Sequence, residues 1–588
     1  MSGGTRKKLG AHVHSRGVTF RVWAPNASSV EVCVPFVSYD TSNRQKMSAE
    51  KSGYWSLTVS SAEPGQTYKY IVTSKDGQEL LRNDPRARAV TASDNGTSII
   101  ASNEFDWGDD LYMPLPKNEH VIYELHVGTF HRADPATQGT FYDAIEKLDY
   151  LASLGITMIE LMPVTSMAES HGWGYNTNSM FAIENSYGGR LGLMTFVKAC
   201  HERGIGVTAD VVYNHFCDPD TWRFDGWYEH DRGGIYFYND ERGDTPWGAR
   251  PDYGRREVRQ CILDSVKMWF EEYRLDGLRL DSTSYMRNLD GSDDEARSIP
   301  DAWSLIQAIT ETAHRVRPGS LIIAEDTGSN KHVVKPKSEG GADCDAQWRL
   351  QFPESIYQAI GLQPRYNADI KQELMQSFTS DPYTRVVFSD SHDTAANGRA
   401  RLNEEVSPRH GENPRAQRDQ LIASTVVCTT AGIPMLLQGQ EFMQDGAFNE
   451  WKELDWENVT THQGVVDAHQ ELLALRRNTY QTSRGLTGNH TSLFHINDTN
   501  RVLAYHRWHT GGVNDDVVVI INFGNDSFPV YDLVVPVAGE WQPSFYSTDK
   551  RYGLSQDYSL ASTIITDQNG ACSLALEKQS SIILTRTA

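Results

Sequence analysis

The chain has 588 residues, 39% of them hydrophobic and 22% charged, which is too long for a single core and ordinary for a globular protein of about three domains. Lys plus Arg number 55 against 77 Asp plus Glu, a net charge of −22. That balance argues against nucleic acid or an anionic membrane surface as the main partner.

The opening segment, MSGGTRKKLGAHVHSRG, carries basic residues with no apolar stretch behind them, so no secretory signal is expected. Segments Gly17–Pro25, Val30–Val34, Tyr54–Val59 and Tyr68–Val72 alternate in period two and are separated by turn sequences such as APNAS and EPGQ. Short strands at this spacing predict a β-sandwich over residues 1–105.

The texture changes near Asn118. His120–Phe130 reads as a strand and Gly139–Gly155 as an amphipathic helix closed by glycine. Strands at Ile156–Val164, Ile205–His215, Gly277–Asp281, Ser320–Asp326 and Arg385–Asp393 alternate with helices at Gly192–Gly204, Leu263–Tyr273 and Asp301–Val316. Apolar strands joined by helices mean a parallel sheet, and the alternation continued over residues 106–480 fits a (β/α)8 TIM barrel better than an open sheet, so the fold class is α/β. Phe216–Tyr253, rich in aromatics, Asp and Gly, has no helical period and reads as an insertion, 216–253, after the third barrel strand. From 481 to 588, Arg501–Trp508 and Asp516–Phe523 restore a β pattern and predict a C-terminal antiparallel β-domain. The seven Cys are scattered and never in CxxC spacing, which suits a reducing, cytoplasmic setting rather than a disulfide framework or zinc cluster. No apolar run is long enough to span a bilayer.

In such barrels the chemistry sits at the C-terminal strand ends. There the sequence places Asp210, Asn214 and His215 on the third strand, Arg279 and Asp281 on the fourth, Glu325 and Asp326 on the fifth, and His392 and Asp393 on a later one. Residues two apart on a strand share a face, so Arg279 and Asp281 should project together, the cation keeping a buried carboxylate ionised. A single Asp at a strand end is usually a cap or turn residue. Four such features on one barrel call for a chemistry that uses paired carboxylates, and glycoside cleavage does. Trp227, Trp247 and Trp348 are candidate platforms for flat ligands, each also plausible as packing.

The segments DVVYNH (210–215), GLRLD (277–281), IIAED (322–326) and SDSHD (389–393) resemble the four signature regions of the α-amylase family, glycoside hydrolase family 13. The resemblance covers about Asn118 to Arg476. GVTFRVWAP with DPRAR (84–88) looks like the N-terminal glycan-binding-type module of branching and debranching enzymes, and the C-terminal run is similar to the family's all-β tail. The resemblance implies Asp281 as nucleophile, Glu325 as general acid/base, Asp393 as transition-state stabiliser and Arg279 beside the nucleophile. It implies that His215 and His392 bind sugar hydroxyls, that Tyr175 in HGWGYNT stacks on the same sugar, and that Asp210 is a supporting carboxylate. Asn214 matches a calcium position of some amylases, but branching-type relatives usually lack calcium, and neither metal nor cofactor is expected. The implied partner is an α-glucan: glycogen, amylose or maltooligosaccharides.

Within the family, WGY…YGG (173–189) and DVVYNH resemble maltooligosyl trehalohydrolases and debranching enzymes. DYGRREVR (252–259), CDAQW (344–348), the run from Met435 to Trp456 and SDSHD lean toward 1,4-α-glucan branching. The expected activity is thus a retaining transfer that makes α-1,6 branches, with α-1,4-glucan hydrolysis as the alternative. Non-catalytic binding proteins of this type typically lose catalytic carboxylates, and here Asp281, Glu325 and Asp393 are all present.

Overall fold

The structure, a computed structural model, describes residues 8–588 apart from 38–39, 92–95, 103, 170, 219, 329, 363–368 and 555–557. The first seven residues of the segment read for a targeting signal lie outside the described residues. Among the described residues no helix is long and apolar enough to cross a membrane.

Eight short parallel strands close into a barrel in strict chain order. They are β1 (Ile122–Leu125), β2 (Met158–Leu161), β3 (Gly206–Val211), β4 (Gly277–Leu280), β5 (Leu321–Ala324), β6 (Ala346–Trp348), β7 (Arg385–Val387) and β8 (Ile433–Leu437). Every residue in them is buried, because helices cover the outer face and side chains fill the inside. The period of two divides their apolar residues between two cores. Tyr123, Leu125, Ile159 and Leu161 join the layer under the helices, while Ile122, Met158, Ile323 and Trp348 fill the barrel interior. Toward the C-terminal strand ends the interior layer turns polar. Register pairs Glu124 with Glu160, and Asp210 with Arg279.

Helices at Gly189–His201, Arg256–Glu271 and Pro300–Val316 run where the amphipathic patterns place them. Several elements differ from expectation: the third strand ends at Val211, before Asn214 and His215, the strand expected over Arg385–Asp393 ends at Val387, and the helix expected over Leu263–Tyr273 starts at Arg256. The strand expected over His120–Phe130 stops at Leu125, and Val127–Phe130 is a helical turn. The amide of His126 there finds Oε1 of Gln438 at 2.8 Å instead of a neighbouring strand. The helix expected over Gly139–Gly155 is two helices, Phe141–Ile145 and Leu148–Leu154, broken at Lys147. Its ends are as expected: Thr140 and Asp143 form a capping box, and Gly155 closes it at φ 105°.

Ahead of the barrel, a four-stranded sheet containing Gly17–Trp23 and Tyr54–Val59 faces a second sheet containing Ser29–Cys33 and Thr67–Thr73. Val18, Phe20, Val30, Val32 and Tyr68 fill the space between them, the sandwich that the alternating segments imply. After the barrel, an antiparallel six-stranded sheet includes Val502–Trp508 and Val517–Asn522, and a two-stranded sheet completes the all-β tail.

The 216–253 insertion bridges two of these units. Phe224 and Ile235 are buried inside the core of the N-terminal sandwich. Asp225 accepts from the amide of Asn26 at 2.8 Å, and Asp220 from that of Asn83 at 2.7 Å. Burying one such apolar side chain stabilises the contact by about 1.5–3 kcal/mol. At its other end the insertion carries Trp247 to the barrel mouth, 5.7 Å between ring centres from His215.

Candidate active site

Arg279 is the hub. It projects from β4 into the barrel mouth and is fully buried. Its Nη1 donates to Asp210 Oδ2 at 2.6 Å and to Asp281 Oδ1 at 2.8 Å. Its Nη2 lies 2.9 Å from Glu325 Oε2. One guanidinium thus gathers three carboxyls from three strands, and Arg279 and Asp281 share a face as strand alternation requires.

Each carboxyl is held from a second side. Asp281, with 9% of its surface exposed, accepts from the Asn214 amide at 2.6 Å. Glu325 accepts from the backbone N–H of Ser282 at 2.9 Å. Ser282 sits in the left-handed region at φ 40°, costly for a non-glycine residue, and that backbone turn aims the N–H at the carboxyl. Asp210 accepts a second bond from the Tyr175 hydroxyl at 2.7 Å.

Three buried carboxylates around one cation would leave excess negative charge in a low dielectric. The proton settles on Glu325. Burial lifts its carboxyl to about 7; Arg279 pulls the other way, while Asp281 and Asp393 add to the rise. Burial likewise raises Asp210, but Arg279 holds it to about 6, ionised at neutral pH. Arg279 itself stays charged: burial opposes its charge, and Asp210 and Glu325 outweigh burial.

His392 and Asp393 follow β7 in a turn, not a strand. Asp393 is the open member, with 41% of its side chain exposed, 3.5 Å from His392 Nε2. The Tyr175 ring stacks on His392 at 5.3 Å between centres. His215 lies buried at the mouth, its Nε2 without a partner among the described residues; burial lowers its pKa, so it is neutral. Arg279, Asp281, Glu325, Asp393, His215, His392 and Tyr175 therefore converge on one mouth.

Four expectations need correction or narrowing. Trp348 is 0% exposed within the barrel interior, so it offers no face to a ligand. It lies beneath the site, with the Arg279 guanidinium 4.4 Å over its ring, a cation–π contact that steadies the hub. Asp210 is 4% exposed, and its Oδ2 is shared by Arg279 and Tyr175 while Oδ1 finds no partner among the described residues, which makes it a support rather than an open ligand contact. Asp326 turns away to form an ion pair with Arg287 at 2.7 Å. Asn214, at the position weighed for calcium, commits its amide to Asp281 and its carbonyl to the His215 ring. Of the other platform candidates, Trp247 is 47% exposed beside His215, whereas Trp227 packs against the sandwich core.

Two buried acids beneath the cluster went unread. Glu124 on β1 grips His392, and Glu160 on β2 has no partner for Oε2 among the described residues. Burial pushes the Glu160 carboxyl well above the ordinary range, toward its neutral form. The signal was present: each is a lone carboxylate in an apolar strand, YELHV and MIELM.

The chain matches three family descriptions in order. These are carbohydrate-binding module 48 (isoamylase N-terminal domain) over residues 8–87, the α-amylase catalytic domain over 125–243 and 227–478, and the α-amylase C-terminal all-β domain over 495–587. A 1,4-alpha-glucan branching enzyme GlgB of Corynebacterium jeikeium is 31% identical over 576 residues, covering 93% of this chain and 78% of that one. The enzyme of the same name from Dechloromonas aromatica is 30% identical over 581 residues, covering 93% and 90%. Among solved structures, a pullulanase from Anoxybacillus in complex with maltotetraose superposes with a TM-score of 0.76 at 20% identity, covering 99% of this chain and 88% of that one. That likeness concerns the fold. The ordered match of all three units, with the catalytic-domain match spanning the barrel and its polar mouth, shows that the chain belongs to the α-amylase family, glycoside hydrolase family 13.

Proposed function

We propose that the protein is a 1,4-α-glucan branching enzyme that cleaves an α-1,4 bond with retention and passes the glycosyl group to a 6-hydroxyl of an α-glucan. The observation that carries the reading is the likeness to curated branching enzymes along 93% of the chain. The buried Arg279 cluster supports the retaining mechanism. Asp281, held by Arg279 and Asn214, attacks the anomeric carbon, and the bond to the leaving oxygen breaks. Glu325 gives that oxygen its proton. The resulting carboxylate then takes the proton of the acceptor 6-hydroxyl as that oxygen displaces Asp281. Asp393, open to the mouth, faces the positive charge that develops on the sugar ring. His215 offers its free Nε2 to a sugar hydroxyl, and Tyr175 its ring face. A second glucan held at the mouth outcompetes water by proximity; Trp247 is the exposed ring placed to help. With this reading go the division at 1–105, 106–480 and 481–588, supported by separate apolar cores, and a cytoplasmic setting, supported by the seven free cysteines.

The test incubates the purified protein with amylose and follows α-1,6 anomeric protons by NMR together with reducing ends. New α-1,6 signal with little gain in reducing ends is expected. Reducing ends without that signal would replace the reading with a hydrolase.

The pH dependence follows from Glu325. Its proton is required in the first step and is held up to about pH 7. Branching kcat/KM is expected to fall as pH rises through about 7, approaching tenfold per unit beyond it. An alkaline limb beginning only above pH 9 would take the acid role from Glu325.

A further inference from the structure

Beneath the site, Glu124 is 2% exposed at the end of β1. It holds one residue twice: Oε1 lies 2.6 Å from His392 Nδ1, and Oε2 accepts the His392 backbone N–H at 3.0 Å. On the other side of the ring, His392 Nε2 lies 2.9 Å from the Tyr175 hydroxyl. That hydroxyl spends its hydrogen on Asp210 Oδ2, which also accepts from Arg279 Nη1, the atom that donates to Asp281. One line of contacts therefore runs from β1 to the nucleophile.

Donor counting along this line decides the charge on the histidine. The Glu124 and Asp210 carboxylates can only accept. Nδ1 must therefore donate to Glu124. Tyr175, its hydrogen already committed to Asp210, can only accept from Nε2. Both ring nitrogens then carry hydrogen, and His392 is an imidazolium. We propose that Glu124 is a positioning residue of the reaction, anchoring His392 as a cation and, through Tyr175 and Asp210, fixing the Arg279 guanidinium against Asp281. The proposal rests on the branching reading above for the reaction it serves.

The surroundings agree. The groups facing His392 are Glu124 from β1, Glu160 from β2, Tyr175 from the segment after β2, Arg279 from β4, His126 from the turn after β1, and Asp393 beside it. Burial pushes the Glu160 carboxyl well above the ordinary range and His126 down to about 4, each toward its neutral form. Burial also opposes the charge on His392, and Asp393 and Glu124 outweigh both burial and Arg279, holding it up to about 9.

The experiment compares wild type with Glu124→Gln and Glu124→Asp, after circular dichroism confirms folding. Two signals are followed. One is the histidine 13Cε1 resonance that disappears in His392→Asn, titrated from pH 5 to 10. The other is the pH profile of branching on amylose. In wild type the His392 resonance is expected to stay in the imidazolium form through pH 8. In Glu124→Gln it should titrate at least one pH unit lower. Branching at pH 7.5 should fall about 10–100-fold, the range of outer-shell supports, with partial recovery at pH 6, and Glu124→Asp should restore part of the loss. Unchanged titration and profile in Glu124→Gln would overturn the proposal, as would a loss equal at every pH that Glu124→Asp leaves uncorrected. If the Gln variant does not fold, a wild-type His392 resonance that titrates below pH 7 overturns it. If wild type itself makes no branches, the functional reading fails, while the titrations still decide whether Glu124 anchors the cation.

Discussion

Replacing Glu325 by Gln is expected to lower branching kcat by about 10²–10⁴-fold, the usual worth of a positioned acid–base group, with glucan affinity changed only a few-fold. Gln has the same length and can still accept from the Ser282 N–H, so the turn that positions residue 325 should survive. What is lost is the proton that burial keeps on the carboxyl up to about pH 7. Two consequences separate this from a merely damaged site. The alkaline limb of the pH profile should vanish. A donor whose leaving group needs no proton, such as an α-maltosyl fluoride, should still form the glycosyl-enzyme at a rate much closer to wild type. Steady-state rates with both donors check this. A Gln variant equally slow on both would mean that Glu325 serves the structure of the site and not proton transfer.

Arg279→Leu is expected to abolish measurable branching and to destabilise the fold. The variant leaves Asp210, Asp281 and Glu325 buried without the guanidinium that touches all three. Removing one partner of a buried ion pair typically costs about 3–5 kcal/mol, because the remaining charge is stranded. The carboxyls would escape that cost by taking up protons, and a protonated Asp281 is no nucleophile. Arg279→Lys should fall between the two, since a single ammonium cannot span Asp210, Asp281 and Glu325 as the planar fork does. Thermal melts and single-turnover rates check the order wild type, Lys, Leu. A Leu variant as stable and as active as wild type would remove Arg279 from the centre of the site.

What the sequence made legible is what repeats locally. Arg279 and Asp281 could be placed on one face because strand alternation is a two-residue rule. Glu325, His392 and Asp393 could be placed at one mouth because parallel barrels align their strand ends. The barrel itself was readable from apolar strands alternating with helices, although β6 has only three residues and β8 lies in a run that reads as one long apolar and polar segment. What stayed hidden depends on depth and on distant contacts. Trp348 at the end of β6 and Trp247 in the insertion read alike as aromatic platforms, yet one fills the barrel and the other is half exposed; nothing within either segment sets that depth. Phe224 and Ile235 belong to a core built by strands some 200 residues earlier, a pairing no local period encodes. Glu124 and Glu160 were visible as carboxylates in apolar strands, but the partner of Glu124, His392, follows β7, and only barrel closure brings the two together.

The most direct measurement of the central claim is to trap the covalent intermediate. Glu325→Gln protein is incubated with α-maltosyl fluoride without acceptor, quenched in acid, digested and examined by mass spectrometry. The peptide containing Asp281 should gain one maltosyl group, and adding a glucan acceptor before the quench should reduce that label. An unmodified Asp281 with the label on Asp393 or Asp210, or no label at all while fluoride is released in a burst, would contradict transfer through Asp281.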